Sequence, residues 1–225
     1  MSGRTPADDP RYQRVRQRLV DSLLELAASR PAETISVSEL TTAAGVSRAV
    51  FYSHASSPAG LLADVLVGEL EPGFDALAEQ MARPDADYVE IWRRVYLTLL
   101  DHVRDHRAVY EVLTAHESAV SSALTAYLEQ AASCCVLAVT SRFEGPPPTE
   151  LWKTMAVNQQ AHNMLAVIRA WIATGLTDPP EVVVDTYLTL APPWQLARAE
   201  DGPISLRRVR SLRRARSRDR ETSEP

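Results

Sequence analysis

The segment Ile35–His54 constrains this chain more than any other, because it encodes two short helices and the sharp break between them. Ser36-Val37-Ser38-Glu39 has the spacing of a capping box, in which the serine hydroxyl and the glutamate each satisfy a free backbone N–H at a helix start. The helix it opens runs to about Ala44, where Gly45 can take the left-handed geometry that ends a helix abruptly. Ser47 then caps a third helix through Arg48, Val50, Phe51 and Tyr52. Two short helices joined by a glycine turn make a shape that fits the DNA major groove.

Helical spacing recurs along the rest of the chain. Val15, Leu19, Leu23 and Leu26 mark a first helix over about 11–29, with Arg11, Arg14, Arg16 and Arg18 at its front. Ser57 caps and Pro58 opens a fourth helix whose Leu61, Leu62, Val65, Leu66 and Leu70 lead to Pro72, where it should end or kink. Amphipathic helices follow over about 85–105, with Tyr88, Trp92, Tyr96, Leu99 and Val103, and over about 118–142, with Val120, Leu124, Tyr127, Ala131 and Cys135. After a proline-rich loop, about 150–174 is apolar around much of its circumference, through Met155, Met164, Ile168 and Trp171. A helix buried on two sides implies a partner subunit. Val182–Leu190 gives a last helix before Pro192-Pro193, and the expected fold class is all-α.

Composition removes several alternatives. Only 8 glycines are present, and the 15 prolines fall mainly between apolar stretches, which argues against a β-rich fold with many tight turns. No apolar run approaches the roughly 18 residues of a membrane span, and the first residues lack the apolar core of a signal peptide. Cys134 and Cys135 are chain neighbours that ordinary disulfide geometry hardly joins, so a reducing, cytoplasmic location without membrane contact is expected. The net charge of -5 is unevenly spread: residues 1–53 carry +1, residues 54–197 carry -10 and residues 198–225 carry +4. A polyanion would meet the two ends. The arginine-rich end reads as a solvated tail, or as a salt-dependent, non-specific nucleic-acid contact.

The order and spacing of Ile35–His54, with Ala43-Ala44-Gly45-Val46-Ser47 followed by Phe51-Tyr52 and His54, resemble the helix-turn-helix of the tetracycline-repressor (TetR) family of transcriptional regulators. The resemblance implies an N-terminal three-helix DNA-binding domain over 1–56 and a helical ligand-binding and dimerisation domain over 57–197. An arginine-rich tail over 198–225 follows them. It implies a homodimer through a four-helix bundle of the last two long helices, and a repressor released from a palindromic double-stranded DNA operator by a small-molecule effector. The family's DNA-facing positions correspond here to Ser47, Arg48, Tyr52 and His54, with Ser36 and Val50 beside them. Arg48 can pair its planar fork with the two acceptors of a guanine, Val50 can touch a thymine methyl, and Tyr52 and His54 suit phosphates. The family usually follows the histidine with Phe and then a Ser-Lys pair, whereas these positions read Ala55, Ser57 and Pro58, which removes a lysine contact to phosphate.

Catalytic patterns are not found in the sequence. It has neither a glycine-rich phosphate loop nor a Gly-x-Ser-x-Gly elbow, so a non-enzyme is expected. His102 and His106, four apart with Asp105 beside them, have a spacing able to chelate a metal. No second ligand cluster accompanies them in sequence, so packed or solvated histidines, with no metal and no cofactor, are expected. Polar tips on apolar helix faces mark the expected effector-pocket lining: Trp92, Tyr96, Tyr127, Asn158 and His162. The same fold with weakened DNA reading, a ligand- or protein-binding module, is the alternative.

Overall fold

The computed structural model describes residues 9–83, 85–115, 118–141 and 147–195, and every regular element among them is helical. The helices are α1 (Pro10–Ala27), α2 (Val37–Ala44), α3 (Arg48–Tyr52), α4 (Pro58–Met81), α5 (Tyr88–Asp105), α6 (Arg107–Ala115), α7 (Ala119–Thr140), α8 (Glu150–Ala173) and α9 (Pro180–Leu190). Short 3-10 turns stand at Ala32–Thr34 and Pro193–Gln195. The arginine-rich tail lies outside the described residues.

Two compact units form: Met1–Leu70 with His102–Tyr127, and Glu71–Asp101 with Leu128–Pro225. This division differs from a linear cut after residue 56. Because α4, α5 and α7 each contribute residues to both units, no single point in the chain separates them.

In the first unit, Asp9 caps α1 by accepting the Arg11 N–H at 2.8 Å, and Pro10 occupies the first turn, where a missing N–H costs nothing. Leu19, Leu23 and Ala27 form the buried stripe of α1, and they pack in a core that includes Leu40, Phe51, Leu61, Leu62 and Leu66. Glu33, in the first 3-10 turn, accepts the Ala119 N–H at 2.7 Å and so places a carboxylate at the start of α7. The α6 helix was not marked by periodicity. It is only nine residues long and follows α5 directly, but it buries Val109, Tyr110 and Leu113. His116, just beyond it, lies outside the described residues.

The α4 helix does not end at Pro72 but continues to Met81. The carbonyl that loses its donor belongs to Gly68, which like Pro72 is exposed, so water can satisfy it. The buried face of α7 runs through Val120, Leu124, Leu128, Ala132, Cys135, Val136 and Val139, whereas Tyr127 and Ala131 are half-buried. By length and composition α7 is long and apolar enough to cross a membrane, although it holds no unbroken apolar run of that length. Its alanines raise the mean hydropathy while serine, threonine and glutamate interrupt every apolar run. In the second unit α8 buries Ala156, Gln160, Ala161, Met164, Ile168 and Trp171, and exposes Leu151 and Met155.

Candidate functional site

Local chemistry fixes the geometry of α2 and α3. Ser36 Oγ accepts the Glu39 N–H at 3.1 Å, which is half of the expected capping box. The other half is replaced: the Glu39 carboxylate takes the Arg30 guanidinium, a charge-assisted partner stronger than a neutral backbone N–H. Gly45 ends α2 at φ 63°, ψ 40°, and the Val46 N–H returns to Thr41 O at 3.0 Å. Ser47 Oγ accepts the Val50 N–H at 3.2 Å and caps α3. Both serine hydroxyls therefore hold helix starts, and Phe51, wholly buried, anchors α3 from beneath.

The opposite side of α3 is open. Ser47, Arg48, Val50 and Tyr52 are exposed, Tyr52 by 55%. Arg48 has no ion pair or hydrogen bond among the described residues, unlike Arg30, Arg93 and Arg107, each of which holds a carboxylate. A free guanidinium at the front of a short helix capped by Ser47 is ready for an external acceptor. His54 is less free. Its ring lies on Tyr12 of α1 with centroids 3.9 Å apart, and burial, then the charge of Arg16, lowers its pKa below 6.5.

The expected effector lining is only partly brought together. Trp92 and Tyr96, one turn apart on α5, are fully buried in the second unit. Tyr96 Oη accepts the Gln160 side-chain N–H at 3.3 Å, and its ring lies 4.1 Å from that of Tyr187. Burial holds both tyrosine pKa values up, so both remain phenols. Asn158 and His162 do not join them. They are exposed on α8, where His162 Nδ1 stands 2.8 Å from the Asn158 carbonyl. Tyr127, half-buried, belongs to the first unit. The buried polar residues of the second unit, among those described, are Gln160 and Gln195, neither marked by the sequence, the latter accepting from Tyr187 at 2.8 Å. A glutamine on a helix of mixed polarity gives no signal of its direction. Gln160 Oε1 and Trp92 Nε1 are buried without a hydrogen-bond partner.

A groove of about 410 Å³ runs between α8 and α9, lined chiefly by Val167, Trp171, Val182, Val183, Tyr187 and Leu190. Its lining is mostly apolar, and Val182 and Leu190 are 48% and 78% exposed. A third feature, in the first unit, joins Glu69 of α4 to His102 and His106.

No protein-family model matches the sequence, and no curated protein matches it. Solved structures match the fold. NalD, the secondary repressor of the MexAB-OprM multidrug efflux pump in Pseudomonas aeruginosa, superposes with a TM-score of 0.57 at 15% identity, over 80% of this chain and 95% of that one. A TetR-family regulator from Streptomyces coelicolor gives 0.54 at 18% identity, over 83% and 94%. The chain has the TetR-regulator fold. FadR from Bacillus subtilis, solved with stearoyl-CoA, gives 0.53 at 11% identity, over 77% and 96%. Within the TetR-regulator fold, the helix-turn-helix read from the sequence corresponds to α2 and α3.

Proposed function

We propose that this protein is a cytoplasmic, homodimeric transcriptional regulator, a repressor that reads a palindromic DNA operator through α3 and leaves it when a small molecule binds. The observation that carries this reading is the unpaired Arg48 guanidinium, exposed beside Val50 and Tyr52 on a helix whose other face is anchored by Phe51. Arg48 pairs with a guanine edge, a contact worth about 1–3 kcal/mol of discrimination. Tyr52 and His54 hold phosphates, and the arginines of α1 add sequence-independent attraction.

Dimerisation uses α8 and α9. The apolar groove between them, with Leu190 and Val182 exposed, suits a second copy of the same surface, and the two α3 helices then address half-sites about 34–36 Å apart. The effector enters the interior of the second unit near Trp92, Tyr96 and Gln160. The unmatched Trp92 N–H and Gln160 carbonyl suit a mainly apolar, neutral or cationic molecule with one donor and one acceptor. It shifts the operator-binding equilibrium only by its differential affinity for the two states.

The test is fluorescence anisotropy on DNA flanking the gene, with excess non-specific competitor, comparing wild type, Arg48→Ala and a chain truncated after Ala197. Tight binding lost with Arg48 and kept without the tail supports the reading. Binding abolished only by truncation supports a TetR-shaped module that does not read sequence, the reading favoured by Ala55 and Pro58 at the α3–α4 junction. Light scattering should give twice the chain mass, and a single-chain mass at micromolar concentration overturns the dimer.

A further inference from the structure

Sequence spacing put His102 and His106 on one side of a helix end, and folding adds a third ligand-type side chain from a distant helix. Glu69 Oε2 lies 2.5 Å from His106 Nε2 and 3.2 Å from His102 Nε2, and one donor atom from each of the three residues falls within 4.8 Å of the others. We infer that Glu69, His102 and His106 form a binding site for one borderline divalent metal ion, Zn²⁺ foremost, with its fourth position open to solvent.

Several observations point the same way. His102 is about nine-tenths buried, and its Nε2 atom, aimed at Glu69, is buried without an aligned hydrogen bond despite the 3.2 Å separation. Its other ring nitrogen, Nδ1, stands 3.0 Å from Tyr110 Oη. When Nδ1–H donates to that phenol oxygen, Nε2 presents a lone pair toward a carboxylate. Two electron-rich groups facing each other are reconciled by a cation between them. The Tyr110 hydroxyl then serves as the outer partner that fixes the tautomer of a metal-bound histidine.

Donor type and spacing narrow the metal. Two imidazoles and one carboxylate suit zinc and its first-row neighbours, whereas magnesium and calcium take oxygen ligands. Tetrahedral zinc, at about 2.0–2.2 Å from each ligand, needs its donors roughly 3.3–3.6 Å apart. The present separations need side-chain shifts of about an ångström. Glu69 and His106 are partly exposed, which leaves an entry path and room for a water. Bound metal would tie α4 to the α5–α6 corner inside the unit that also holds the helix-turn-helix.

The experiment uses untagged full-length protein stripped with a chelator, titrated with Zn²⁺ against a chromophoric competitor, with Mg²⁺ as the control and Co²⁺ as a visible-spectrum probe of four-coordination. One Zn²⁺ per chain, intense Co²⁺ bands and a metal-dependent rise in Tm are expected. Glu69→Gln and His106→Gln should each weaken binding at least tenfold while keeping the metal-free Tm near wild type. Tyr110→Phe should weaken it less and leave the Co²⁺ bands in place. Substoichiometric zinc, or unchanged affinity in both ligand variants, overturns the site. The readout is metal binding itself, so this outcome is independent of whether the protein binds an operator.

Discussion

The outer face of α3 and the groove between α8 and α9 both expose apolar side chains, yet they differ in what stands beside them. On α3, Val50 and Tyr52 flank an unpaired arginine, and the helix is only five residues long. Along the α8–α9 groove, Val182 and Leu190 continue a mostly apolar surface of valine, alanine and tryptophan that also holds Asn163, Thr174, Asp178 and Thr186. Apolar exposure mixed with a free cation suits a polyanion whose bases also carry methyl groups, whereas mostly apolar exposure without a cation suits a surface of its own kind. The supports differ as well. Caps and a glycine turn set α3 within a dozen residues, while the groove depends on two helices meeting along their length.

The comparison breaks most visibly through the core of each unit. Phe51→Ala and Trp92→Ala each remove a fully buried aromatic ring, and each should cost about 3–5 kcal/mol. Phe51→Ala should abolish operator binding while light scattering still reports a dimer. Trp92→Ala should lower the denaturant midpoint as much and alter the effector response. A Phe51→Ala protein that still bound its operator would show that α3 is not held from beneath.

A smaller and more local pair of changes uses the two positive-φ glycines among the described residues. Gly45 ends α2 at φ +63° and Gly175 follows α8 at φ +77°, and neither has a neighbour that would crowd an added Cβ. Alanine at either position should therefore cost only its left-handed strain, about 1–2 kcal/mol. Gly45→Ala should weaken DNA binding with the dimer intact. Gly175→Ala should raise the dimer dissociation constant and leave the intrinsic DNA contacts unchanged. Smaller again, Ser47→Ala removes the α3 cap and should lower stability by about 0.5–2 kcal/mol, measured by chemical denaturation.

This contrast also explains what the sequence makes legible. Ser36, Gly45 and Ser47 act on neighbours within five residues, so their roles are apparent from spacing alone. Glu69 meets His106 across 37 positions, and Tyr96 meets Gln160 across 64; no periodicity encodes such distances. Asn158 and His162 follow helical spacing correctly and still face solvent, because a helix that is apolar around its circumference does not announce which side is inside. Glu39 shows competition within a motif, since the capping box was complete in sequence and Arg30 diverted its second half.

The smallest effect is the one that tests how firmly α3 is tied to α1. His54 lies against Tyr12, and burial first, then the nearby Arg16 charge, lowers its pKa. As pH falls through 6.5 the unfolded chain takes up a proton at this histidine before the folded chain does. The contribution of neutral His54 to stability is therefore full above that range, is lost as the pH drops toward the depressed folded value, and changes no further below it. An NMR titration should find the His54 pKa below 6.5, with Tyr12→Ala returning it most of the way and Arg16→Ala a smaller part. Operator DNA should move it upward, since a phosphate favours the charged ring. A His54 pKa unmoved by Tyr12→Ala would mean that the ring contact does not bury it, leaving the end of α3 tied to α1 through the Tyr12 hydroxyl on the Ser53 carbonyl and not through the stacked rings.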